Sequence, residues 1–151
     1  MVQSMLPPSA LDEYMLLTQI GPAVLASVAA LAVRLDDPDM KVMWESRLMS
    51  EMFGYEPYEL RGQPLDLILL PEHREVHRCY YGDYCKAPNV RTMNQGVWVD
   101  GLRKDGTKIK VQVSLYPTNV GKIDVVIAHV ADVTRAYEHL KPVVRPLVEG
   151  H

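Results

Sequence analysis

Residues 71–85, PEHREVHRCYYGDYC, gather two histidines, two cysteines and three tyrosines. His77 has the widest chemistry of these: a neutral imidazole can ligate a metal, move a proton or hydrogen-bond a ligand. Cys79 and Cys85 stand six positions apart. On a helix that spacing turns them to different faces, so they make neither a metal pair nor a disulfide. Asp66, Glu72, Glu75 and Asp83 are spaced as solvated helix charges, and no two carboxylates are placed to divide acid and base work. Only His77 and Tyr80 are candidates for a buried titratable pair, so the chain reads as non-catalytic. His73, near the start of the segment, reads as solvated. His129 lies in an apolar strand whose alternation turns it outward, as a packing or interface residue. Trp44 and Trp98 read as packing or interface residues, and Met43, Met49, Met52 and Met93 as core.

The composition bounds what can hold such a segment. A chain of 151 residues, 48% of them hydrophobic, builds one core and one domain with short flanks. A net charge of -3 with scattered positive residues gives no basic footprint, which argues against direct nucleic-acid binding. Two cysteines with no secretory signal ahead of them read as reduced thiols in a cytoplasmic protein. Met15 to Val33 carries no charge, yet Thr18, Gln19, Ser27 and the central Gly21-Pro22 interrupt it, so no membrane span is expected. The stretch splits instead into the end of an amphipathic helix from about Ser9 to Gln19, with Ser9 as N-cap and Asp12-Glu13 in the first turn, a further helical turn after Pro22, and a separate element from Ala29 onward.

The remaining elements follow in order. LAVRLDD, PDM and KVMWES read as strand, turn and strand, because Asp37-Pro38-Asp39 is turn chemistry between apolar runs. SRLMSEMFGY spaces Leu48, Met49, Met52 and Phe53 by three and four, with Ser46 as N-cap and Gly54 as stop. Pro57, Gly62, Pro64 and Pro71 cut the next stretch into short helical turns. A helix from about His73 to Cys85 ends at Ala87-Pro88. From Thr92 onward a three-stranded meander turns at Lys104-Asp105-Gly106. Ile109, Val111, Val113 and Leu115 alternate there with Lys108, Lys110, Gln112 and Ser114. The last strand, IDVVIAHVADV, is apolar on both faces, so the N-terminal helix is expected over its outer side. The order defines an α+β half-barrel.

Three blocks of this sequence resemble the PAS domain family over roughly Ala29 to Glu138. They are FGYEPYELRGQPLDLILLPEHR (53–74), MNQGVWVDGLRKDGTKIKVQVSL (93–115) with its Lys-Asp-Gly hairpin, and HVADVTR (129–135), similar to the family's Asp-Ile-Thr close. Ser46 stands where the family usually has a capping Asn. The resemblance implies a PAS fold: a five-stranded antiparallel sheet, short helices over one face around a pocket, and an N-terminal helix packing on the other. It divides the chain into a flanking dimerisation helix (1–28), the PAS domain (29–135) and a short tail (136–151). After Arg135 the sequence offers only Pro-interrupted chain and no effector. A fragment of a larger regulator or a free-standing partner-binding module is therefore expected.

The resemblance also implies function: a non-catalytic sensory and interaction module in signal transduction or transcription regulation. Such a module binds a small ligand in its pocket, dimerises through the N-terminal helix and outer sheet face, and acts on a kinase or transcription-regulator partner. His77 is similar in position to the proximal haem ligand of PAS oxygen sensors, preceding Asp105 by 28 residues and followed by Tyr80 in a His-x-x-Tyr pattern. A haem-binding gas or redox sensor with His77 on the iron is thus the alternative reading. The pocket residues implied are His77, Tyr80, Gln95, Val97, Val111 and Val130. Gln95 and Val97 are expected to face inward if Met93, Gln95, Val97 and Val99 share one strand face. The Arg that haem-sensing relatives carry near Val97 is missing, and so is the Asn-Cys-Arg-like sequence of the flavin photoreceptor branch. The cofactor stays open, with flavin disfavoured.

Overall fold

The structure, a computed structural model, describes residues 28–93 and 98–139. The helix expected over Ser9 to Gln19, most of the tail, Gln95 and Val97 lie outside the described residues. Strand β1 (Ala30–Arg34) turns into β2 (Val42–Glu45). The turn is built by the Asp37 carboxylate, which accepts from the backbone N–H groups of Asp39 and Lys41, both at 3.0 Å. Helix α1 (Arg47–Phe53) follows at once, and Gly54 closes it in the left-handed region at φ 80°, a conformation that costs glycine nothing. Two 3₁₀ turns, Leu65–Ile68 and Pro71–His73, lead into α2 (Arg74–Lys86). Then come β3 (Arg91–Thr92), β4 (Val99–Leu102), β5 (Lys108–Val120) and β6 (Ile123–Asp132), with residues 134–139 helical.

The strands form one antiparallel sheet in the order β2-β1-β6-β5-β3, with β4 also paired to β5. β3 and β4 share the same edge of β5, so six segments occupy the five positions expected. The α+β half-barrel is as the element order predicts. Alternation along β1 and β6 gives the sheet two apolar faces. Leu31, Val33, Val126 and Val130 pack inward with Met49 and Phe53. Ala30, Ala32, Trp44, Val125 and Ile127 form a second buried cluster on the outer face. His129 pairs across the strands with Ala30 and Ser114, and alternates with the inward Ala128 and Val130, so it points outward as expected.

Thr92 pairs with Ser114 and Val99 with Val111. The chain therefore advances seven residues (92 to 99) while β5 moves three (114 to 111). A continuous antiparallel ladder advances one residue for one, so β3 and β4 are two separate segments on β5, and the inward facing expected of Gln95 and Val97 falls outside the described residues.

Candidate functional site

Helix α2 lies across the inner face, and polar side chains on it hold it there. Arg74 Nε donates to the Asp66 carbonyl at 3.0 Å, and Arg78 pairs with the Asp66 carboxylate. The single Tyr81 hydroxyl hydrogen is shared between the carbonyls of Arg34 (2.6 Å) and Asp37 (2.8 Å), tying the helix to the β1–β2 turn. Tyr84 donates to the Asn89 carbonyl at 2.7 Å and closes the far end. Burial, with Cys85 beside it, raises the Tyr81 phenol above its ordinary range, so Tyr81 stays a donor. Cys85 is half-buried and Cys79 exposed, and both are free thiols.

Pinned at both ends, α2 leaves a cavity of about 490 Å³ beneath it. Val113, Leu115, Ala128 and Val130 form the sheet side, Phe53 and Ile68 one end, and His77, Tyr81 and Tyr84 the helix side. Such a volume lies within the roughly 300–1,000 Å³ typical of small-molecule sites. Neither cysteine is on its wall.

His77 is a titratable polar group on the cavity wall. Its Nδ1 is buried and has no hydrogen-bond partner. Desolvation lowers its pKa below the ordinary histidine value, against an opposing pull from the Asp66 carboxylate. The ring is held neutral because charging it in this apolar setting costs more than the carboxylate returns. Asp66 is not the solvated helix charge expected. It sits in the Leu65–Ile68 turn with its side chain 19% exposed, and Oδ1 is buried without a partner while Oδ2 meets Arg78. The proline cuts around it fold the turn back under α2, where the Arg74 and Arg78 contacts enclose it.

The structure places the expected site residues unevenly. His77, Val111 and Val130 line the cavity, the two valines buried in the sheet. Tyr80 reaches it only at the edge, with 65% of its surface exposed. Gln95 and Val97 lie outside the described residues. Sequence reasoning missed Tyr81, Tyr84 and Arg91, which also line it. Tyr81 and Tyr84 follow His77 by four and seven positions, the spacing of one helix face, so a signal existed. Arg91 had none. At the sheet's other end, Tyr137 packs its ring edge-on to Trp98 at 4.8 Å, and Lys110 lies 4.8 Å above it. Thr134 Oγ accepts there from the Lys110 N–H at 3.0 Å. No helix among the described residues is long and apolar enough to cross a membrane.

An open antiparallel sheet with short helices arched over a pocket on one face defines the class of α+β half-barrel folds. The chain has the PAS fold of that class. It is similar to the Rhodobacter sphaeroides LOV protein (TM-score 0.61, 16% identity), with 75% of this chain covered. It spans 65% of the length of that protein. A PAS domain of a protein from Colwellia psychrerythraea matches at TM-score 0.63 and 16% identity, over 80% of this chain and 98% of its own. A Light-Oxygen-Voltage domain studied with a flavin analogue matches at TM-score 0.63 and 16% identity, over 89% and 96%. No family model matches the sequence.

Proposed function

We propose that the chain is a non-catalytic PAS sensory module that binds a small, mainly apolar ligand in the cavity under α2. The observation that carries this is the mainly apolar volume of about 490 Å³ with His77 on its wall, the Nδ1 of that ring being buried and unpaired. A buried polar atom without a partner costs roughly 1–3 kcal/mol, and a ligand hydrogen-bonded to His77 removes that cost. Ligand occupancy bears on how tightly α2 is held between Tyr81 and Tyr84, and that tightness is the variable a partner kinase or transcription regulator reads. The test is titration with the neutral fluorophore N-phenyl-1-naphthylamine. Its emission rises with the wild type and does not with Ala128→Phe, which fills the cavity from the sheet. No rise with folded wild type, or equal rises with both, refutes the reading.

A second reading, haem on His77, is favoured by the same neutral imidazole in an apolar cavity, the state iron ligation requires. The residues fit as far as an imidazole, that of His77, which would hold the iron. A metal-bound histidine ordinarily donates its other ring N–H to an acceptor, and Nδ1 meets none among the described residues. When bound, haem supplies the gas-binding or redox chemistry, and His77 holds the group while the sheet excludes water. A Soret band in protein expressed with haem precursor, lost in His77→Ala, supports it. No band in either variant rejects it. Thiol-adduct flavin chemistry does not fit, because neither cysteine faces the cavity.

The dimer belongs to the same proposal, with the N-terminal helix and outer sheet face as its surfaces. Deleting residues 1–20 is expected to weaken self-association in sedimentation velocity, and an unchanged dimer contradicts it.

A further inference from the structure

Among the described residues the cavity carries a charge at its mouth with no ion-pair partner, and that charge narrows the ligand. Three of its lining groups are titratable near neutral pH or charged: His77, Asp100 and Arg91. His77 is held neutral by burial. The Asp100 carboxylate is paired with Lys110 Nζ. Arg91, on β3 at the exposed rim, has no ion-pair partner among the described residues, and its guanidinium lies 6.0 Å from the Tyr84 ring. The site is therefore an apolar chamber with one cation at the entrance.

We infer that the cavity takes an amphipathic monoanion, an apolar body ending in a carboxylate, with the carboxylate on Arg91 and the body against the sheet. An anion cannot be desolvated among Val113, Leu115 and Ala128, so its charged end stays at the rim, where water and the guanidinium share it. The planar fork of arginine matches a carboxylate with two parallel hydrogen bonds. One cation balances one negative charge, which disfavours the doubly charged phosphate monoester. This inference rests on the ligand-binding reading of the cavity and adds the class of ligand.

The test compares dodecanoate, dodecanol and dodecyl phosphate, each below its aggregation threshold. Each displaces N-phenyl-1-naphthylamine from the wild type and from Arg91→Gln, whose fold is checked by circular dichroism. Wild type is expected to bind dodecanoate about tenfold more tightly than dodecanol, the scale of one partly exposed charge-assisted pair. Arg91→Gln is expected to abolish that preference and leave dodecanol affinity unchanged. Equal affinities in the wild type, or a preference that survives Arg91→Gln, overturn the inference while the cavity reading stands. Tighter binding of dodecyl phosphate than of dodecanoate overturns it in favour of a phosphate headgroup. If no amphiphile or fluorophore binds, both readings fall together.

Discussion

Ser46 is the residue whose removal most sharply tests how the fold positions its cavity. Its Oγ accepts from the Met49 N–H at 3.3 Å, capping α1, and from the Ala30 N–H at 3.0 Å, while it donates to the Val28 carbonyl at 2.8 Å. One hydroxyl thus joins the start of β1 to the start of the helix that carries Met49 and Phe53 into the core, and it is only 4% exposed. Ser46→Ala removes the cap, worth about 1 kcal/mol, and leaves the Ala30 N–H without its acceptor, a further ~1–3 kcal/mol. The sum is a loss of roughly 2–4 kcal/mol. For a chain of this size that lowers the thermal midpoint by roughly 4–16 °C. Urea unfolding followed by far-ultraviolet circular dichroism measures it, with the m value unchanged because the surface exposed on unfolding is the same. Ser46→Asn keeps an acceptor at the N-cap and is expected to recover about half of the loss. A Ser46→Ala protein within about 0.5 kcal/mol of wild type, the ordinary scatter of neutral substitutions, refutes the reasoning.

Other outcomes follow from the same geometry. A Cβ on Gly101 would stand 2.9 Å from Phe53 Cε1 and 3.1 Å from Ile109 Cγ2, so Gly101→Ala is expected to cost about 1–3 kcal/mol by overpacking, measured in the same urea assay. Tyr81→Phe removes the donor to Arg34 and Asp37 and is expected to lose about 1 kcal/mol and to speed amide exchange in α2. The His77 pKa is lowered on folding, so the unfolded chain binds the proton first as pH falls. Its contribution to stability is complete above the ordinary histidine value and is lost as pH drops toward the folded one. The nuclear magnetic resonance titration midpoint of His77 is expected below about 6.5, and His77→Phe is expected to lessen the acid sensitivity of unfolding.

What could be read from the sequence was what is local. Asp37-Pro38-Asp39, Ser46 with Gly54, and Asp105-Gly106 each specify their turn or cap within a few residues, and all three stand where expected, with Gly106 alone in its hairpin taking positive φ at 89°. The alternation through Ile109 to Leu115 likewise fixed which face is core. What could not be read depends on register between distant segments. The four residues by which the chain from Thr92 to Val99 exceeds its β5 partner leave no local signal. Asp66 looked solvated because its enclosure comes from Arg74 and Arg78, which reach it only once α2 folds back. Arg91 gains its meaning from a cavity that the sheet creates.

The most direct test of the account is where a small apolar molecule lands. Methyl-resolved nuclear magnetic resonance of the protein titrated with N-phenyl-1-naphthylamine reports it residue by residue. The account predicts shifts at Val113, Leu115, Ala128 and Val130, which line the cavity, and none at Ala32, Val125 and Ile127 on the opposite face. Shifts confined to the outer-face methyls, or none at saturating probe, would contradict a ligand cavity under α2.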